Sequence, residues 1–343
     1  MNTARLLHIG MLRKERVDGM PGSDKLKKVV VFGGGTGLST LLRGLKNHPI
    51  DLTAVVSVAD DGGSSGRLLD EYDIPPPGDI RKVMAALSDV EPLIEKMFQY
   101  RFPSSEDLKG HSLGNLMLAA MTDITGDFAR AIEQMGHVLN IKGKVLPAAN
   151  QRITLHAELD DGTIVTGESK IPVYERKIRK VYLSPQEVKP LPETVETIMA
   201  ADLIVFGPGS LYTSILPTIL VKAIREAVLA SGAKKVYINN LTTQAGETYR
   251  YTASEHVQAL YDHAGKAFID TVLLNETSLS SPNEPEQLGP PWPVENDLEQ
   301  LQQLVPHIVI KDIGLRVGGS MLHDSEKVAE WLMGYMADVV KME

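Results

Sequence analysis

Five short apolar runs, "KKVVVFGGG", "DLTAVVSVADD", "ADLIVFGPGS", "KKVYINN" and "TVLLNE", each end in glycine or polar residues and lead toward a helical pattern. This repetition limits the fold more than any other feature. The runs are continuously apolar rather than alternating, so they read as strands covered on both faces, and strands separated by helices form a parallel sheet. After the first run, Leu38, Leu41, Leu42 and Leu45 recur at spacings of three and four, which gives a helix one buried stripe. The expected class is α/β: a doubly wound, mostly parallel sheet with helices on both faces. In such sheets the ligand sits outside the carboxyl ends of the strands, near the point where strand order reverses.

Between about 144 and 185 the pattern changes. "RITLHAELDDGTIVTGES" alternates about a turn at Asp160, Asp161 and Gly162, and "KIRKVYLSP" offers a third strand, so a small antiparallel β insertion is expected. Residues 1–26 read as an unstructured leader and 27–343 as a single α/β domain that contains the insertion. Near the C-terminus Val328, Trp331, Leu332, Tyr335, Met336 and Val339 share a helical face suited to core packing. The loop "LGPPWPVE" precedes that region.

Composition removes several classes of partner. A net charge of -9 gives no general attraction to nucleic acid or to an anionic membrane. No run approaches the roughly 20 apolar residues of a membrane span. The absence of cysteine excludes disulfides and thiolate sites and suits a reducing, cytoplasmic setting. A homo-oligomer is compatible with all of this.

The candidate chemistry gathers at the strand ends. In "FGGGTGLST", Gly34, Gly35, Thr36, Gly37 and Ser39 form a glycine turn opening a helix, where free amides attract a phosphate. The dinucleotide fingerprint fails because Leu38 stands where Gly or Ala belongs, and no Lys-Ser or Lys-Thr follows Gly37 to make a Walker A loop. A generic phosphate turn and a purely structural tight turn both remain open. A nicotinamide dinucleotide could occupy such a turn through its diphosphate without hydride chemistry. In "SVADDGGSSGRL", Asp60 and Asp61 suit magnesium or a ribose, Gly62, Gly63 and Ser64 offer amides and a hydroxyl, and Arg67 adds positive charge. Asp79, in "PPPGDIRKVM", either caps the helix it opens or ligates a metal. A second strand-to-helix turn, with Gly207, Gly209 and Ser210, suggests a ligand with separated polar groups. Past a further strand, Asn239, Asn240, Thr242, Thr243 and Gln244 either read a base or sugar or simply satisfy their loop.

"GHSLGN" contains Gly-x-Ser-x-Gly, the nucleophile elbow of many esterases, but that motif needs a strand running into it. Here "RFPSSEDLK" precedes it, polar and holding a proline, and a helical stretch follows. His111, Ser112 and Asn115 therefore read as a helix start facing a ligand or as simple capping.

Taken in order, "FGGGTGLSTLLRGL", "VADDGGSSGRL", "PPGDIRKVMAALSD", "FQYRF", "GHSLGNLMLAA", "GPGSLYTSILP" and "TTQAGET" resemble the gluconeogenesis-factor branch of the CofD-like family. The resemblance runs from about residue 28 to near the C-terminus. It implies a doubly wound fold with its site at the strand carboxyl ends. For the branch that transfers a phospholactyl group it implies a guanine nucleotide and magnesium. For the gluconeogenesis-factor branch it implies a small-molecule nucleotide-sugar such as UDP-N-acetylglucosamine, and a regulatory, cytoplasmic role in cell shape and wall synthesis. By motif, Gly34, Gly35, Thr36 and Gly37 would lie near phosphates, Asp60 near a metal or ribose, and Asn115 with Gly209 and Ser210 around the rest. Where this branch commonly carries Arg-His-Asp, the chain has Leu322-His323-Asp324, which removes an arginine from that position.

Overall fold

The computed structural model describes residues 26–90, 92–103, 107–276, 291–318 and 320–342. Most of the expected leader, part of the "LGPPWPVE" loop and the Val339 side chain lie outside the described residues.

The five apolar runs form the strands Lys27–Gly33 (β1), Ile50–Val56 (β2), Leu203–Phe206 (β7), Lys234–Ile238 (β8) and Thr271–Asn275 (β9). Two edge strands complete the sheet, Lys144–Pro147 (β3) and His307–Lys311 (β10). The order is β10-β9-β8-β7-β1-β2-β3, and every pairing is parallel. From β1 the chain first winds outward to β2 and β3, then returns to the other side of β1 as β7 and winds outward again. Strand order thus reverses between β1 and β7, which places the switch point at the carboxyl ends of these two strands. Val29, Val31, Phe32, Ile204 and Phe206 are fully buried, as continuous apolar strands covered on both faces must be.

The helices that position the site are Gly35–Leu45 (α1), Gly63–Tyr72 (α2), Gly78–Leu87 (α3), Pro92–Gln99 (α4), Leu113–Thr125 (α5) and Phe128–Val138 (α6). The predicted leucine stripe of α1 is buried, against α3 and the C-terminal helix Ser325–Met342. In that last helix Val328 and Leu332 are fully buried, and Trp331, Tyr335 and Met336 pack beside them.

The insertion is antiparallel, as its alternation requires: Thr154–Leu159 (β4), Ile164–Thr166 (β5) and Ile178–Ser184 (β6), with β4 in the middle. It starts later than the change in pattern suggests, because Lys144–Pro147 pairs with β2 in the main sheet. A 3-10 segment, Glu168–Tyr174, links β5 to β6. Gly314–Val317 (β11) and Ser320–His323 (β12) form a separate antiparallel hairpin.

Candidate functional site

At the switch point the structure opens a cleft of about 440 Å³, lined by the turn from Gly34 to Gly37, Asp60, Asp79, Gly209, Ser210 and Gln244 among others. Helix α1 begins there with Gly34 as N-cap, which has no side chain to cap the turn, and the Gly35 amide is taken by Asp79 from α3, leaving the amides of Thr36 and Gly37 toward the cleft. Uncapped amides at a helix start face outward with a partial positive charge, which makes the turn an anion receptor. Two glycines are fixed by geometry. Gly35 has φ +62°, where a side chain is strained. A Cβ on Gly37 would stand 2.6 Å from the Pro208 carbonyl oxygen and 2.9 Å from the Gly209 Cα, so the two strand-to-helix turns pack backbone on backbone.

Acidic groups crowd one wall. Asp79, on the first turn of α3, accepts from the Gly35 amide and pairs with Lys82 Nζ at 3.0 Å. Burial, and Asp60 nearby, still raise its carboxyl above the ordinary range despite Lys82. Asp60 Oδ1 accepts from the Gly62 amide at 2.9 Å. Glu168 reaches the cleft from the insertion's 3-10 segment, and burial together with Asp60, Asp79, Glu247 and Asp61 pushes its carboxyl up to about 8. That segment is clamped from two sides: the Ser169 amide donates to Asp61 Oδ1 at 2.8 Å, and Pro172 lies against Gly246, where any Cβ would strike its backbone. The insertion therefore builds part of the cleft wall.

The second turn differs from its sequence reading. Its helical segment, Leu211–Ile215, has no capping bond from Ser210. Yet its second amide is taken, because Tyr212 N donates to Glu247 Oε2 at 3.2 Å, and Thr213 Oγ1 donates to Glu247 Oε1 at 3.0 Å. Burial lifts the Glu247 carboxyl to about 7, while these donors pull it down. On the cleft side, Gln244 Nε2 donates to Ser210 Oγ at 2.8 Å, and Asn240 Oδ1 accepts from the Gly209 amide at 3.3 Å. Met321, Leu322 and His323 of β12, a strand in contact with α1, also line the cleft. His323 Nε2 meets the Asn239 carbonyl at 3.0 Å, and burial drops its imidazole to about 4, so it stands neutral there. Arg316 lies one strand further out, opposite Met321.

Several predicted residues lie outside the cleft lining. Ser112 is fully buried and caps α5, its Oγ accepting from the Asn115 amide at 3.2 Å. Asn115 Oδ1 accepts from Arg81 Nε at 3.0 Å, Asn115 Nδ2 donates to Ser64 Oγ at 3.1 Å, and Ser64 Oγ bonds His111 Nδ1 at 3.0 Å. These polar residues thus form a buried network joining α2, α3 and α5, and burial, with Arg67 nearby, lowers the His111 pKa. Ser39 Oγ turns back to the Gly35 carbonyl at 2.8 Å, and Arg67 holds the Lys109 carbonyl at 2.6 Å. Thr243 is tied to Trp292 by its amide at 2.7 Å. Gly62, Gly63, Gly207 and Asn239 support the lining without forming it, and Asp61 serves the insertion.

Asn240, Thr242, Leu322 and His323, which the motifs had pointed to, line the cleft, and so do Thr40, Lys82, Glu168 and Met321, which they had not singled out. Lys82 alone had a usable signal, standing three residues after Asp79 on one helix face. Glu168 and β12 arrive by long-range packing.

Comparison with known proteins gives a consistent result. Residues 29–313 match the family model described as 2-phospho-L-lactate transferase CofD. The gluconeogenesis factor of Bacillus subtilis is 54% identical over 314 residues, covering 91% of this chain and 98% of that one. The gluconeogenesis factor of Halalkalibacterium halodurans is 61% identical over 256 residues, covering 75% and 80%. A crystal structure of a Bacillus halodurans protein superposes with a TM-score of 0.84 at 53% identity, covering 90% of this chain and all of that one. The matched span takes in both turns, the insertion and the acidic wall, and on this footing the chain belongs to the CofD family, in its gluconeogenesis-factor branch.

Proposed function

We propose that the cleft binds a nucleotide-activated sugar of the UDP-N-acetylglucosamine type, and that the protein is a regulatory binding protein acting in the cytoplasm on cell shape and wall synthesis during gluconeogenic growth. The observation that carries this reading is the glycine start of α1 at the switch point, in a cleft that is also lined by Ser210, Asn240, Thr242 and Gln244. The amides of Thr36 and Gly37 would hold the diphosphate. Amides and hydroxyls opposite would take the base or the sugar, since neutral groups of this kind recognise hydroxyls without demanding charge.

Magnesium fits the donor set. The ion favours one or two carboxylates plus substrate phosphates over an all-protein cage, and Asp60 and Asp79 would hold it beside the α1 turn. Among the described residues no group of three or more His, Asp or Glu is arranged to hold a metal, so the ligand's phosphates would complete the shell. When bound, the ion would offset phosphate charge that Lys82 alone meets from the cleft lining. A nicotinamide dinucleotide is another diphosphate that the turn could hold.

A second reading is a magnesium-dependent transferase of the phospholactyl type. The description of the matching family model favours it, as does Glu168, which holds a proton at neutral pH on the cleft wall. Isothermal titration with UDP-N-acetylglucosamine, with and without magnesium, followed by product analysis, separates the two. Saturable binding with the ligand recovered intact supports the binding protein, magnesium-dependent consumption makes it a transferase, and no binding under either condition rejects the nucleotide-sugar reading.

A further inference from the structure

The cleft has two strand-to-helix turns, and they differ in what their amides face. At α1 the first turn opens directly on the cleft, with the Gly35 amide held by Asp79 and Gly35, Thr36 and Gly37 in the lining. At the second turn the place an anion would take is filled from within, by Glu247, whose two oxygens accept from the Tyr212 amide and the Thr213 hydroxyl. Glu247 is 5% exposed, with its amide bonded to the carbonyl of Gln244 and its carboxyl to Thr213, next in sequence to Ser214, and both Gln244 and Ser214 line the cleft. It is near enough to Glu168 to act on that carboxyl, as Asp60 and Asp79 do. The lining at this end is thus uncharged amides and hydroxyls backed by acid. The one lysine of the lining, Lys82, is already paired with Asp79 on the α3 side.

We infer that Glu247 makes the second turn a selectivity filter: the cleft takes a nucleotide whose distal group is neutral or cationic, such as a neutral sugar, and rejects one whose distal group carries a carboxylate or a phosphate. A buried acid that already holds the turn's donors leaves an incoming anion without those donors and, once Glu247 is ionised, facing a like charge. A sugar hydroxyl meets neither penalty and can use Ser210, Asn240 and Gln244. The same feature weighs against a distal phosphoryl group in this part of the cleft.

The inference rests on the nucleotide-sugar reading, and the test separates the two. UDP-glucose and UDP-glucuronate differ only at one sugar carbon, hydroxymethyl against carboxylate, so their affinity ratio reads the filter directly. Isothermal titration of the wild-type protein with each, at about pH 8.5 so that Glu247, lifted to about 7, is ionised, and at one ionic strength, is expected to favour UDP-glucose by about tenfold or more. Glu247→Gln keeps a hydrogen-bond acceptor and removes the charge, and its ratio is expected to shrink to about threefold or less through a gain for UDP-glucuronate. Equal wild-type affinities for the two sugars, or an unchanged ratio in a folded Glu247→Gln protein, overturn the inference while the nucleotide-sugar reading stands. If neither sugar nor UDP-N-acetylglucosamine binds, that reading falls, and the inference with it. Should Glu247→Gln fail to fold, the wild-type ratio still decides.

Discussion

Single residues carry the most specific consequences of this site. Glu168 has an ordinary pKa of 4.5 raised to about 8 by burial and by the acids around it. Between those values the native protein holds a proton that the unfolded chain has released, so stability falls as pH rises. The contribution is full below about pH 4.5 and lost as pH climbs through about 8, and Glu247, raised to about 7, acts in the same direction. Thermal midpoints measured from pH 6 to pH 9 should therefore fall less steeply in Glu168→Gln than in the wild type; parallel curves would mean that the Glu168 carboxyl is not held protonated. Ser112 has the opposite character, since its hydroxyl caps α5 away from the cleft lining. Ser112→Ala should cost about 1 kcal/mol in denaturant unfolding, with UDP-N-acetylglucosamine affinity kept. Loss of affinity without loss of stability would place the serine at the ligand instead.

These residues also show where the sequence is readable. A glycine turn after an apolar run marks the α1 turn because the chemistry is local. His111, Ser112 and Asn115 look the same on paper whether they face a ligand or a buried network, since polarity and spacing are identical in the two cases. Only their burial distinguishes them. Glu247 lies inside the quoted "TTQAGET", but nothing local reveals that its carboxylate reaches back to a turn 34 and 35 residues earlier.

At the scale of elements, the site depends on two junctions. The first is the contact of α1 with the loop after β7, where Gly37 leaves room for the Pro208 carbonyl. Backbone cannot move aside as a side chain can, so Gly37→Ala should destabilise by roughly 1–3 kcal/mol and weaken nucleotide-sugar binding by separating the two turns. Chemical denaturation and titration on the same protein check both effects; unchanged values in both would show that the turns are not in contact. The second junction joins the insertion to the loop before α2 through the bond from the Ser169 amide to Asp61. In Asp61→Ala, amide exchange should quicken within Glu168–Tyr174 while the main sheet keeps its protection. Uniform quickening across the sheet would make Asp61 a general stabiliser instead. The antiparallel insertion was legible from its alternation, and its third strand from "KIRKVYLSP". Its role at the cleft was not, because clamping between two distant loops leaves no periodic trace.

For the whole molecule, five central strands announce themselves because strands covered on both faces must be continuously apolar. The edge strands β3 and β10 escape that signal: one is four residues ending in proline, and the other is half exposed. Strand order is what converts the list of motifs into a site, since the reversal between β1 and β7 brings together turns separated by more than 170 residues. The claim that follows is that this crevice holds the diphosphate of a nucleotide-sugar on the free amides of α1. A crystal structure of the protein with UDP-N-acetylglucosamine tests it most directly. The prediction is phosphate oxygens within hydrogen-bond distance of the amides of Thr36 and Gly37, with the sugar toward Ser210 and Gln244. Ligand bound in the groove between α6 and Pro192–Met199 instead, with the switch-point cleft untouched, would contradict it.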